Sequence, residues 1–344
     1  MSRLATSYLG LDLRTPLVAS ASPLTRQPET ALRMQESGAS AIVLPSLFEE
    51  EVVHEEVEFS QALEQGADAF AEALDYFPPV DAFESATDRY LALISQTKEM
   101  LDVPVIASLN ATSSGGWVRF AKLFEEAGAD AIELNLYRLA ADPARAGSEM
   151  EAGDLEVVRR VREFTGLPLA VKISPYYSSL ASFACRLVEQ GASGLVLFNR
   201  FYQPDLAIDS RDVVPRLELS QPWELRLPLR WLAILRPHLD GRASLAATSG
   251  VHTGGDAAKA LLVGADVAMM TSAVLRNGPE HFAAVERELV QWMDANEYAS
   301  VDQLRGSVSY AATDDPSAFE RANYLKTLRS WNAPQDLTSR PQSP

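Results

Sequence analysis

Lys172 stands near the end of the run LAVKIS (169–174), one cation in an otherwise apolar stretch. Burying an ammonium there is costly unless something negative or electron-rich faces it. Polar residues close the other β-forming runs in the same way: Ser20-Ala21, Pro45-Ser46, Ser108 to Asn110, Asn135, Asn199, Ser249-Gly250 and Thr271-Ser272. Amides, hydroxyls and one lysine suit a polar, planar, phosphorylated ligand. They include no histidine and no paired carboxylates, the groups that general acid–base work would use. The phosphate end is the sharpest signal, with TSGV (248–251) and TSA (271–273) closing the last two runs. Backbone N–H groups around Gly250 and a helix start near Thr253 or Asp256 would donate to an anion. Two ordinary turns whose Ser and Thr cap helices are the alternative. Lys172 has an alternative too, an ion pair with Glu133, which lies two residues before Asn135 and so on the same side of its strand, deeper in.

The elements that must position these residues come from a phrase repeated four times: ESGASAIVL (36–44), EAGADAIEL (126–134), EQGASGLVL (189–197) and LVGADVAMM (262–270). Each reads as a helix ending at a Gly, which takes the left-handed conformation without a Cβ penalty, followed at once by a buried strand. EQGADAF (64–70) lacks the burst of β-formers and is read as a decoy. Leu17 to Ser20, Val105 to Ser108, Leu169 to Ile173 and Ser244 to Thr248 complete a set of eight strands. Amphipathic stretches fit helices at Glu29 to Ser37, Thr87 to Leu101, Trp117 to Ala127, Asp154 to Phe164, Ser179 to Gln190, Leu229 to Arg236, Asp256 to Val263 and Pro279 to Glu297. The expected fold is a single α/β (β/α)8 TIM barrel with an N-terminal hairpin-like segment and loop insertions. Its chemistry then sits at the C-terminal strand ends, and a phosphate after the last two strands. A doubly wound sheet is the alternative, but it wants a glycine-rich fingerprint after the first strand, and Ala19 to Pro23 has no glycine.

With 47 acidic against 30 basic residues the formal charge is −17, which argues against nucleic acid and anionic membrane as partners. The start at Met1 to Tyr8 has no signal-peptide pattern and no apolar run approaches membrane-spanning length, so a cytoplasmic protein is expected. The single Cys185 excludes an internal disulfide, an iron–sulfur cluster and a thiolate zinc site; it reads as core filler, not a nucleophile, and no metal site is expected.

The segments LGLDLRTPLVASAS (9–22), PVIASLNAT (104–112), AGADAIELNLY (127–137), LPLAVKISPYY (167–177), LAATSGVHTGGDAAKALLVGADVAMMTSAVLRNGP (245–279) and EYASVDQLRG (297–306) resemble the dihydroorotate dehydrogenases, most closely the soluble class 1 type. The resemblance implies one FMN-binding barrel over residues 1–335 with a flexible tail at 336–344. It implies that Lys172, Asn110, Asn135 and Asn199 contact the FMN ring, with Asn135 and Asn199 also at the substrate edge. Ser20 and Ala21 would pack under the ring, while Ser249, Gly250, Thr271 and Ser272 would hold the phosphate. Over a flavin, Lys172 would sit at the N1–C2 carbonyl edge and stabilise negative charge there. A homodimer and a separate electron acceptor are the partners implied.

The chain departs from the family at three places. Where the family has a Ser-Cys-Pro-Asn type loop whose Cys or Ser takes a proton from dihydroorotate, this chain has Tyr137-Arg138-Leu139-Ala140. Tyr137 is the candidate proton donor, although an ordinary phenol with a pKa of about 10 is a poor base at neutral pH. Arg138 is no base, and is expected instead to bind an anionic group of the substrate. The family's strand-two Thr-Lys-Ser is Leu44-Pro45-Ser46 here, so its lysine position is Pro45. The substrate loop that follows is replaced by a segment with six Glu among residues 49–58, which reads as a solvated helix face, or else as a loop that repels a carboxylate substrate. Two functions are compatible with this pattern. One is an FMN oxidoreductase acting on a CH–CH bond of a small ring, in pyrimidine metabolism. The other is a flavin- or phosphate-ligand-binding barrel without dihydroorotate turnover, in a regulatory role.

Overall fold

The structure is a computed structural model that describes residues 3–55, 57–58, 85–110, 114–200, 202–320, 324 and 328. Gly38, Gly128, Gly191 and Gly264, the glycines of the repeated phrase, have φ of +120°, +94°, +105° and +114°. The alanine after each donates its N–H back five residues, Ala39 to Met34 O, Ala129 to Phe124 O, Ala192 to Leu187 O and Ala265 to Ala260 O, at 2.9–3.1 Å. These 6→1 bonds close each helix with a Schellman motif and turn the chain directly into a strand.

The chain opens with the antiparallel pair β1 (Thr6–Tyr8) and β2 (Leu11–Leu13), joined by Leu9 and Gly10, both at positive φ as a two-residue hairpin turn requires. The strands β3 (Leu17–Ala19), β4 (Ile42–Phe48), β5 (Val105–Asn110), β6 (Ala131–Asn135), β7 (Leu169–Ile173), β8 (Gly194–Leu197), β11 (Ser244–Ala247) and β12 (Val267–Met270) follow one another around a closed parallel barrel. A second hairpin, β9 (Asp205–Ala207) with β10 (Asp212–Val214), is an insertion after β8. Around the barrel lie α1 (Pro28–Glu36), α2 (Ala86–Met100), α3 (Ser114–Glu126), α4 (Gly147–Phe164), α5 (Leu180–Glu189), α6 (Arg226–Leu239), α7 (Gly254–Leu262), α8 (Ser272–Asn277) and α9 (His281–Ala295), followed by α10 (Val301–Leu304) and a 3-10 turn at Pro316–Phe319. Tyr8, Leu9 and Leu13 of the first hairpin join Val18, Val43, Ile106, Ala170, Val196, Ala246, Val267 and Met269 in an inner core that fills the lower barrel.

Three expectations need adjustment. α4 begins at Gly147, seven residues before Asp154, so Asp154 is an interior helix residue, 2% exposed, and not an N-terminus. α6 runs on through Pro237 to Leu239. Strand two, expected to end at Leu44, continues to Phe48 with a register shift between Val43 and Ser46. Its pairing to β3 is confined to Ile42, so the missing N–H of Pro45 removes no ladder bond on that side. Residues 49–55 are helical, and Glu50, Glu51, Val53 and His54 are exposed, which agrees with a solvated face; Glu49, 9% exposed, is the member turned inward. The segments expected as a decoy at 64–70 and as a tail at 336–344 lie outside the described residues. No helix among the described residues is long and apolar enough to cross a membrane.

Candidate functional site

Inward-facing positions recur every second residue along a strand, so the site can be built upward from the apolar core. Two residues beyond Val18, Ile106, Ala170, Ala246 and Met269 stand Ser20, Ser108, Lys172, Thr248 and Thr271; on β6 the series runs Ala131, Glu133, Asn135. The apolar lower layers therefore give way to hydroxyls, amides and one ammonium where the strands end. Ser20, Asn135, Lys172, Thr248 and Thr271 line a cavity of about 480 Å³, a volume typical of cofactor sites. Ser20, Ala21, Asn110, Asn135, Tyr137, Lys172, Asn199, Ser249, Gly250, Thr271 and Ser272 all line it. Arg138 does not. It turns to the buried carboxylate of Asp154, with Nη1 3.4 Å from Oδ1, while Tyr177 donates to the other oxygen at 3.0 Å. Burial raises the Asp154 pKa, and the Arg138 guanidinium acts against that shift.

At the ring end, Asn135 Nδ2 donates to Ser46 Oγ at 2.8 Å and Ser108 Oγ at 3.0 Å, and the two hydroxyls are 2.8 Å apart. Asn135 Oδ1 is buried without a partner among the described residues. An orphaned buried acceptor at a cavity wall suits a ligand N–H, such as that of a flavin ring. Asn199 Nδ2 donates to Lys172 O at 3.1 Å, tying the end of β7 to the loop after β8. The Tyr137 hydroxyl accepts from the N–H of Tyr202 at 3.2 Å. Lys172 Nζ lies 3.3 Å from Oε1 of Glu133, which is fully buried, so the alternative ion pair is present in the structure. The other oxygen of Glu133 has no partner among the described residues, and below it burial, with Glu133 and Asp266 adding to it, pushes the Tyr8 phenol well above its ordinary pKa.

At the phosphate end, Ser249 and Gly250 both adopt left-handed backbone, at φ +68° and +91°. The N–H groups of Ser249, Val251 and Ser272 take no acceptor among the described residues, which leaves backbone donors available for an anion at this end. The expected helix start near Thr253 and Asp256 does not contribute. Asp256 accepts from the N–H groups of His252 at 3.3 Å and Thr253 at 3.2 Å, and Glu288 accepts from Gly254 at 2.8 Å, so carboxylates already cap α7. Capping by Thr253 holds for this helix, as the alternative for the second-to-last turn had it.

Ser220 escaped the sequence reading. Its hydroxyl accepts from Gly250 N–H at 3.3 Å and its own N–H donates to Ser272 Oγ at 2.9 Å, so a strap at residues 217–221 lies over both phosphate turns. Arg276 and Arg200 hold the strap by the carbonyls of Leu219 and Glu218. The only local signal was a polar start before the turn PWEL, which says nothing about a partner thirty residues ahead. The strap explains Gly250, since a Cβ there would meet Leu225 N at 2.5 Å and Gln221 O at 3.1 Å. Gly250→Ala is expected to cost on the order of 2 kcal/mol, from left-handed strain and this clash. A denaturant midpoint that does not move would show that the strap gives way freely.

A family model for dihydroorotate dehydrogenase matches residues 82–293, more than half of the chain. Among known proteins, a putative dihydroorotate dehydrogenase A (fumarate) of Aeropyrum pernix is 26% identical over 313 residues, covering 88% of this chain and 96% of that protein. The catalytic subunit of a dihydroorotate dehydrogenase B (NAD(+)) of Methanothermobacter thermautotrophicus is 26% identical over 321 residues, 88% of this chain and 97% of its own. The corresponding subunit of Pyrococcus abyssi is 27% identical over 316 residues, with 88% and 98% covered.

Proposed function

Since this chain belongs to the dihydroorotate dehydrogenase family, we propose that it is an FMN oxidoreductase acting on a CH–CH bond of a small ring compound in pyrimidine metabolism. The observation that carries the proposal is one continuous cavity running from Lys172 and Asn135 to the turns at Ser249-Gly250 and Thr271-Ser272. A ring at one end, a phosphate at the other and a polar chain between them match the donors and acceptors in that order.

FMN, when bound, supplies a two-electron acceptor for hydrogen taken from carbon. Every other part falls to the protein. The Lys172 ammonium holds the carbonyl edge of the ring and favours negative charge there, with Glu133 keeping it oriented. Asn135 Oδ1 accepts from the ring, while Ser46 and Ser108 hold its amide in place. Ser20 and Ala21 pack beneath, Asn110 and Asn199 border the ring and the substrate edge, and the backbone around Ser249, Gly250, Thr271 and Ser272 holds the phosphate. Tyr137, which lines the cavity, would be the residue to exchange a proton with substrate. Arg138 has no part, because Asp154 holds it away from the cavity.

The NAD(+)-type relatives are named as catalytic subunits. A separate electron-carrying partner belongs to the proposal for this chain, since the lone Cys185 offers no ligand set for an iron–sulfur relay. A homodimer and a cytoplasmic location complete it, in keeping with the acidic composition and near absence of cysteine. The purified protein is expected to be yellow, releasing one noncovalent FMN per chain on denaturation. Colourless protein that takes up no FMN in a titration would overturn the proposal.

A further inference from the structure

We infer that the substrate is an uncharged ring with amide-type edges, and that a ring carrying a carboxylate is excluded by the charge of the site; this rests on the FMN reading above. An anion leaving water for a half-enclosed cavity needs either a turn of free backbone donors, such as this cavity presents at the phosphate end, or a cation that is not already committed. Lys172 and Arg200 are the cations lining this cavity among the described residues. Lys172 is 3.3 Å from the fully buried Glu133, and Arg200 is 3.3 Å from Glu224 and donates to the Glu218 carbonyl. Glu218 lines the same cavity and lies 3.3 Å from Arg216. Each cation lining the cavity is thus already met by a carboxylate, and Arg138 is held by Asp154.

The segments that flank the cavity in sequence add no lysine or arginine. From Met34 to Asp88 there is no lysine and no arginine, against ten Glu and four Asp, with His54 the sole basic group. That stretch contains all of β4 and everything between it and α2. Residues 111–113, which follow Asn110 in sequence, and 201, between Arg200 and Tyr202, are Ala, Thr, Ser and Phe, so none of these segments brings a lysine or arginine. Arg89, the next in sequence, pairs with Glu55 and lines a separate cavity of about 370 Å³.

What the wall does offer is neutral. Asn110, Ser46 and Tyr137 present hydrogen-bonding groups, and Phe48, Phe198 and Tyr202 present apolar faces. Such a surface pairs with the N–H and C=O groups of a lactam or imide ring and binds it without regard to salt. Ser46 is the position that sets this preference. Ser46 stands between the FMN cavity and the neighbouring one with Arg26 and Arg89 and lines both, while Pro45 lines the neighbouring one alone.

Uracil and orotate differ by one carboxylate and are the probes. Calorimetric titration of the purified protein, with flavin difference spectra in parallel, is expected to give a Kd for uracil at least tenfold below that for orotate, unchanged between 0.05 and 0.5 M NaCl. Ser46→Lys is expected to reverse the order, with orotate gaining tenfold or more and its binding becoming salt-sensitive. Orotate binding as tightly as uracil in the unaltered protein would overturn the inference, as would heat and spectra that respond to neither probe. Calorimetry reads ligand binding with or without colour. A colourless protein would therefore count against FMN, while the order of uracil and orotate still judged the substrate class.

Discussion

Dihydroorotate mixed anaerobically with the FMN-loaded protein is expected to bleach the flavin band slowly or not at all, about 10²–10⁴ slower than a base-assisted transfer. Removing hydrogen from dihydroorotate requires a group that takes the C5 proton. The loop that would carry it begins with Tyr137 and Arg138. Arg138 carries a guanidinium, which has no lone pair to take a proton, and lies against Asp154, 3.4 Å from its Oδ1. Glu218, the carboxylate at the cavity rim, is exposed and 3.3 Å from Arg216. Arg138→Cys alone is expected to recover little, because the substrate carboxylate still finds no cation. Rapid bleaching in the unaltered protein would refute this and point to Tyr137 as the base.

Lys172→Ala is expected to lower the midpoint potential of the bound flavin by ~60 mV, the equivalent for a two-electron couple of about 3 kcal/mol for one preorganised donor. The single substitution also strands the fully buried Glu133, and an unpaired buried charge destabilises strongly, by about 3–5 kcal/mol. The cleaner comparison is therefore Glu133→Gln against the pair Lys172→Ala with Glu133→Gln, in which no buried charge is left alone. The potential should fall between these two proteins. If it stays the same with FMN still bound, the lysine serves only to neutralise Glu133.

The barrel was readable because its punctuation is local. A glycine after a helix, an alanine and a run of β-formers determine one another over fewer than ten residues, and the hydrogen bonds from Ala39, Ala129, Ala192 and Ala265 are the same short-range contact repeated. Strand ends then identify cavity residues by alternation alone, which is why Ser20, Lys172 and Thr271 emerged together, and why Glu133 was recognisable as a partner for Lys172. Other features depend on contacts that local patterns do not encode. Arg138 adjoins the site in sequence, yet its direction is set by Asp154, sixteen residues on, inside a helix whose first two turns contain Gly147 and Gly153 and so look unlike a helix. The anion donors at the start of α7 looked available because Glu288, which caps Gly254, belongs to α9. Ser220 reaches Gly250 only once the insertion after β8 has folded back over the barrel.

The offset in β4 makes the present chemistry hard to undo. Because the register slips between Val43 and Ser46, position 45 lines only the neighbouring cavity, while position 46 lines that one and the FMN cavity. A lysine written at position 45 starts its side chain from the neighbouring cavity, whereas a lysine at 46 starts from a wall of the FMN cavity. Substituting Pro45 alone therefore explores the wrong chamber, and bringing position 45 to the FMN cavity requires a strand re-registered against β5.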